Sequence, residues 1–160
     1  MSRLGKAEPA GRRRLFSVMA ALGLSLVVLS GCSAINFAPP GAFDKVDAAA
    51  ELLSVGDAGD VTFEERYGGK WFLGDPPTLV AIVEGADAES VLLGQLEEAG
   101  FSVRGLPDAA NGQTTWERGR GEDYLGVSLR PVIEGDEISG GERSELANGT
   151  GVAIWILSPK

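Results

Sequence analysis

TLVAIVEGADAESVLLGQLEEAGFSV, running from Thr78 to Val103, decides how this chain folds. Thr78 to Val83 is apolar at every second position and between, so both faces want cover and the segment reads as a central strand. Gly85-Ala86 turns the chain, and Asp87 is a suitable N-cap. A helix then runs to Ala99, with Ala88, Leu92, Leu96 and Ala99 on one face and Val91 beside them. Glu89, Gln95 and Glu98 point away. Gly100 stands where a left-handed C-cap belongs, and Phe101-Ser102-Val103 begins the next strand. The stretch is one βαβ unit, whose crossover should be right-handed.

Upstream, Phe43 to Val55 (FDKVDAAAELLSV) predicts a helix, with Phe43, Val46, Ala50 and Leu53 at spacings of three and four. Asp44 and Asp47 suit its first turn, and Gly56-Asp57-Ala58-Gly59 stops it. Val61 to Tyr67 alternates and predicts a strand with one wet face. After Gly68-Gly69, Lys70 to Leu73 is expected to return as a short hairpin partner. Downstream, Gln113 to Arg118 and Tyr124 to Ile133 predict two more strands. In the second, Leu125, Val127, Leu129 and Ile133 point inward, and Gly126, Ser128 and Arg130 outward. Pro131 argues that this strand is an edge or carries a bulge. Glu134 to Gly149 reads as a long acidic, Gly-rich loop. Thr150 to Leu157 is apolar on both faces and should be central. The order of elements predicts an α+β domain of the ferredoxin-like sandwich type. It has about five or six mostly antiparallel strands with the one βαβ unit and one or two helices.

The N-terminal region has a different character. Arg3, Lys6, Arg12, Arg13 and Arg14 form a basic head with Glu8 its only acid, and Leu15 to Leu29 carries no charge. A basic head followed by an apolar run too short to span a bilayer comfortably is a secretory signal. It ends in Leu29-Ser30-Gly31-Cys32, which holds the only cysteine. These four residues resemble a complete lipobox, the processing site of bacterial lipoproteins. The resemblance implies a diacylglyceryl thioether on Cys32 and cleavage between Gly31 and Cys32. It also implies a location on the outer face of the cell membrane. The rival reading is an uncleaved span continuing through Ser33 to Phe37, which Asn36 and Pro39-Pro40 weaken. Arg12-Arg13-Arg14-Leu15-Phe16 loosely resembles a twin-arginine export signal. The expected organisation is a signal peptide at 1–31, a lipidated cysteine and tether at 32–42, and one extracytoplasmic domain at 43–160. About ten extended residues reach only ~35 Å, so the domain should sit close to the membrane. Element order and lipobox together are similar in style to small actinobacterial envelope lipoproteins whose role is mostly unassigned.

Charge and composition narrow the chemistry. Five of the 14 basic and one of the 23 acidic residues lie in the signal, so the mature chain keeps nine against 22, a formal charge of −13. That surface disfavours nucleic acid and close contact with anionic lipid. There is no histidine. Ser-His-Asp, Cys-His and histidine metal chemistry are thereby excluded, and Cys32 leaves no thiol for a disulfide. Glu134, Asp136, Glu137, Glu142 and Glu145 do not have the spacing of a calcium-binding EF-hand loop and read as solvated. Asn148-Gly149-Thr150 reads as a turn. No catalytic residue, metal ligand or cofactor is expected. Of the three tryptophans, Trp155 reads as core and Trp71 is open. Trp116, sharing a face with Thr114 and Arg118, is the candidate partner contact alongside Arg118; core packing is the bland reading of Trp116. The expected function is a non-catalytic binding or assembly module engaging an envelope protein or polymer. The alternative is a carboxylate-dependent hydrolase acting on cell-wall glycan, which would require a concave pocket with converging acids.

Overall fold

A computed structural model describes residues 38–70 and 74–159, and Ala38–Lys160 form one compact unit. Cys32, Gly31 and Trp71 lie outside the described residues. Helix α1 (Asp44–Leu52) is followed by a 3-10 turn at Val55–Asp57, strand β1 (Asp60–Tyr67), strand β2 (Thr78–Glu84) and helix α2 (Ala88–Glu98). Then come β3 (Ser102–Val103), β4 (Thr114–Arg118), a 3-10 turn at Gly121–Asp123, β5 (Leu125–Val132), β6 (Glu137–Ser139), β7 (Ser144–Leu146) and β8 (Gly151–Leu157). Six of the strands form one sheet in the order β1-β2-β8-β5-β4-β3, antiparallel at every pairing, and β6 and β7 form a separate hairpin. The domain is α+β. Among the described residues no helix is long and apolar enough to cross a membrane.

The doubly apolar segments take the middle of the sheet. β2 and β8 pair through seven registered positions from Thr78↔Leu157 to Glu84↔Gly151. Their alternate residues feed two separate cores. On one face Leu79, Ala81 and Val83 join Val152, Ile154 and Ile156 beneath both helices, which contribute Val46, Ala49 and Leu53 from α1 and Ala88, Leu92 and Leu96 from α2. On the other, Val80, Ile82 and Ala153 meet Phe63, Val132, Ile138 and Ala147. Gly100 adopts φ +80 and ends α2 as a left-handed cap, the conformation glycine reaches without a Cβ clash.

Several expectations change. α2 does join two strands of like direction, but β8, β5 and β4 lie between β2 and β3. The sheet therefore has no parallel pair. Chain-adjacent antiparallel pairing of β3, β4 and β5 holds β3 at the far edge, and β8, needing cover on both faces, takes the interior. β1 pairs with β2; of the hairpin return expected at Lys70 to Leu73, residues 71–73 lie outside the described residues. A bulge between Val61 and Phe63 lets Val61 share the helix face with Val83, while Phe63 lies opposite, beside Ile82. β5 is interior only as far as Leu129 and is not central over its full length, as Pro131 suggested. β4 stops at Thr114, opposite Leu129, so at Pro131 the strand has only β8 as a neighbour and the missing N–H is tolerated. Ile133, expected inward, is largely exposed beyond the end of β5.

The acidic stretch 134–149 is not a plain loop either. It folds as the β6–β7 hairpin, a flap that drops Ile138, fully buried, and Ala147 onto the second core. Polar contacts tie it to the sheet. Arg143 donates through Nη2 to the Glu64 carbonyl at 2.9 Å, with its guanidinium 5.4 Å from the Phe63 ring centroid. Arg130 Nη2 donates to the Glu137 carbonyl at 3.1 Å, and the Asn148 amide donates to Glu84 Oε1 at 2.8 Å. At the flap's tip Gly141 lies against Tyr67: a Cβ there would stand 2.6 Å from Tyr67 Cγ.

Two substitutions test this packing by urea unfolding. Leu92→Ala should lower stability by about 2–5 kcal/mol, the range for a fully buried leucine whose cavity cannot collapse. Gly141→Ala must displace an aromatic ring at its root, so it should destabilise by about 1–3 kcal/mol, the usual overpacking range. An unchanged unfolding midpoint in Gly141→Ala would show that the tip does not rest on Tyr67.

Candidate functional site

The two residues proposed from sequence as a partner contact both belong to the helix face. Trp116 is 9% exposed and packs in the core beneath the helices, its Nε1 donating to Thr114 Oγ1 at 3.3 Å. Its indole is therefore not a free contact surface. Arg118 is half-buried. Its Nη1 donates to the Ala99 carbonyl at 2.9 Å, and its guanidinium lies 5.4 Å from the Phe101 ring centroid. A cation at the last carbonyls of α2 satisfies an orphan acceptor and complements the helix dipole. Its role in the fold is to tie the end of α2 to β4. The shared face expected for Thr114, Trp116 and Arg118 is real; that face is the covered one.

The open surface is on the other side of the sheet. The flap covers only the end of that face nearest Val80, Ile82, Val132 and Ala153. Beside it lies a trough of about 450 Å³, lined by Tyr67, Asp75, Pro76, Thr78, Gln113, Ser128, Trp155 and Leu157. Its volume falls within the roughly 300–1,000 Å³ of small-molecule sites. The register explains the assembly. Trp155 on β8 stands between Val80 on β2 and Ser128 on β5, and Thr78 stands between Tyr67 on β1 and Leu157 on β8. Trp155 was expected in the core. It is half-buried, because the flap reaches its margin and stops.

Each polar group of the trough is positioned by its neighbours. Thr78 Oγ1 donates to the Pro76 carbonyl at 3.1 Å. Ser128 Oγ and Thr115 Oγ1 lie 3.3 Å apart across β5 and β4. Gln113 stands at the head of β4 after a turn built on Asx contacts: its amide donates to Asn111 Oδ1 at 2.9 Å, and its carbonyl accepts from Asp108 N at 2.8 Å. The Arg130 guanidinium lies 5.9 Å from the Trp155 ring centroid. Burial pushes the Tyr67 phenol above its ordinary value; Glu65 and Asp75 add to that rise, and the Thr78 side chain works against it. The hydroxyl is therefore a neutral donor and acceptor throughout the neutral range.

Among the described residues no three of His, Cys, Asp and Glu come together as a metal site. In the flap, Asp136 Oδ2 accepts from the Ile133 amide at 3.2 Å, and Glu142 pairs with Lys70 at 3.4 Å. The chain matches no protein-family model, no curated protein and no solved structure.

The Tyr67 shift has a definite sign. A raised folded-state pKa means the protonated phenol is favoured in the fold. Its contribution is complete below the unfolded value of 10 and is lost as pH rises through the folded pKa. Subtracting the phenolate absorbance titration of Tyr67→Phe from that of the wild type should give a curve with its midpoint above 10. The wild-type urea midpoint should fall more steeply above pH 10 than that of Tyr67→Phe. A difference curve centred at or below 10 would contradict this placement.

Proposed function

We propose that the protein is a membrane-anchored envelope lipoprotein whose folded domain is a non-catalytic binding module, with the trough around Trp155 as its recognition surface. The observation that carries the binding part is the trough itself. It places a half-buried tryptophan and a tyrosine among hydroxyl and amide groups, on a sheet face that the flap leaves open. Aromatic rings with a polar rim are the usual composition of a contact surface. The non-catalytic reading is supported by the carboxylates: Asp75 is the only one among the described residues lining the trough, and acid/base glycoside hydrolysis uses two facing acids.

The anchoring part rests on the basic head, the uncharged run Leu15 to Leu29 and the lipobox Leu29-Ser30-Gly31-Cys32. The same proposal sets the mature protein, from Cys32 onward, at the extracytoplasmic face of the cell membrane. Its partner is an envelope protein or polymer, and the kinship in style is with small actinobacterial envelope lipoproteins. A ferredoxin-like relation for the sandwich belongs here too. It is supported by two helices packed on one face of an antiparallel sheet and by the crossover through α2.

Growth with labelled palmitate tests the anchor. The wild-type protein should carry label and sediment with membranes, and Cys32→Ala should remain as unlabelled, longer precursor. An unlabelled wild-type protein would remove the lipoprotein reading without touching the trough.

A further inference from the structure

Resting on the binding-module reading, we infer that the trough binds a stretch of neutral polysaccharide, laid across the strands with one sugar ring stacked on Trp155. The first argument is shape. The trough runs from Tyr67 on β1, over β2, β8 and β5, to Gln113 at the head of β4. Four inter-strand steps of about 4.8 Å make it roughly 19 Å long. It is a channel for an extended chain. A peptide that added as a strand would need a free sheet edge, whereas backbone pairing is already complete between β2, β8 and β5 beneath the trough.

The second argument is the chemistry of the lining. Gln113, Ser128 and Tyr67 carry neutral groups that both donate and accept hydrogen bonds, while buried Thr78 spends its hydroxyl proton on the Pro76 carbonyl. A sugar hydroxyl is also donor and acceptor at once, and the C–H face of a pyranose suits an aromatic ring. Trp155 offers the ring between Ser128 and Val80. The third argument is charge. The Arg130 guanidinium is engaged by the Glu137 carbonyl and the Trp155 ring, and Asp75 is an exposed acid at the rim. Among the described residues no cation lines the trough, and the net charge of the chain repels an acidic polymer.

Full-length protein in detergent micelles, labelled with ¹⁵N, should be titrated with three neutral tetramers: cellotetraose, maltotetraose and the β-1,4-linked N-acetylglucosamine tetramer. At least one should shift the Trp155 indole N–H saturably. Trp155→Ala should weaken that binding about tenfold or more, the effect of losing one aromatic contact. Gln113→Ala, a half-exposed change at the far end of the trough, should weaken it roughly three- to tenfold, one neutral hydrogen bond, with an unmoved unfolding midpoint. Binding should change less than about twofold over a tenfold rise in salt, since no ion pair forms. No saturable shift with any tetramer overturns the inference. So does wild-type affinity in both variants. Cross-linking in native membranes that recovers a specific protein partner, lost in Trp155→Ala, also overturns the glycan assignment while leaving the binding module standing. The palmitate label on Cys32 reports on the anchor separately.

Discussion

The pairing of β2 with β8 is the constraint from which the rest of the domain follows. Both strands are apolar on two faces, and eleven of the fourteen residues in their shared ladder are buried. Neither can sit at an edge, and the sheet they form must be covered twice. Helices α1 and α2 supply one cover. They share a single core with Trp116, Val127 and Leu129 from the far half of the sheet. The second cover is only the β6–β7 flap, three residues to each strand. Burial of the β2–β8 ladder is therefore complete on the helix side and partial on the other, and the trough occupies the part that the flap does not reach.

An acidic chain with few cations uses them as fasteners. Arg143 holds the flap to β1, Arg130 holds it to β5, Arg118 holds the end of α2 to β4, and Arg66 donates to Asp47 at 2.8 Å to join β1 to α1. Three of the four also lie over an aromatic ring. Exposed ion pairs alone contribute at most about 1 kcal/mol. The arginines bonded to backbone carbonyls do more, because they satisfy acceptors as well as charge. Arg130 shows the overlap of structure and site. Its Nη2 fixes the flap, and the same guanidinium lies 5.9 Å from the ring centroid of Trp155, which borders the trough.

The strands and helices were legible because their periodicity is local. Thr78–Val83, the helix capped by Asp87 and ended by Gly100, and the alternation of Val127 and Leu129 all stand within a residue or two of their expected bounds. What periodicity cannot give is which face a neighbouring element covers. Thr114, Trp116 and Arg118 share a side as expected, and the identity of that side depends on the helices that pack over it, which the alternation within β4 does not register. Trp155 was hidden for the converse reason. Its strand is apolar throughout, and only the register that sets it beside Ser128 reveals a polar neighbourhood. The flap was missed because one buried residue, Ile138, sits among Glu134, Asp136 and Glu137, and a single apolar residue makes no period.

The composition also shapes what the trough can recognise. A chain without histidine has no side chain whose ordinary titration falls between pH 5 and 8. The lining is built from hydroxyls, an amide and two aromatic rings, and burial moves the Tyr67 phenol further from neutrality. Such a surface presents the same donors and acceptors across the neutral range and feels salt weakly. Surface acidity contributes in another way. Carboxylates are spread over the domain, while the trough gathers neutral groups, with Asp75 the one carboxylate among the described residues that line it. In the proposed binding module this division leaves short-range stacking and hydrogen bonding, rather than long-range charge, to select the ligand.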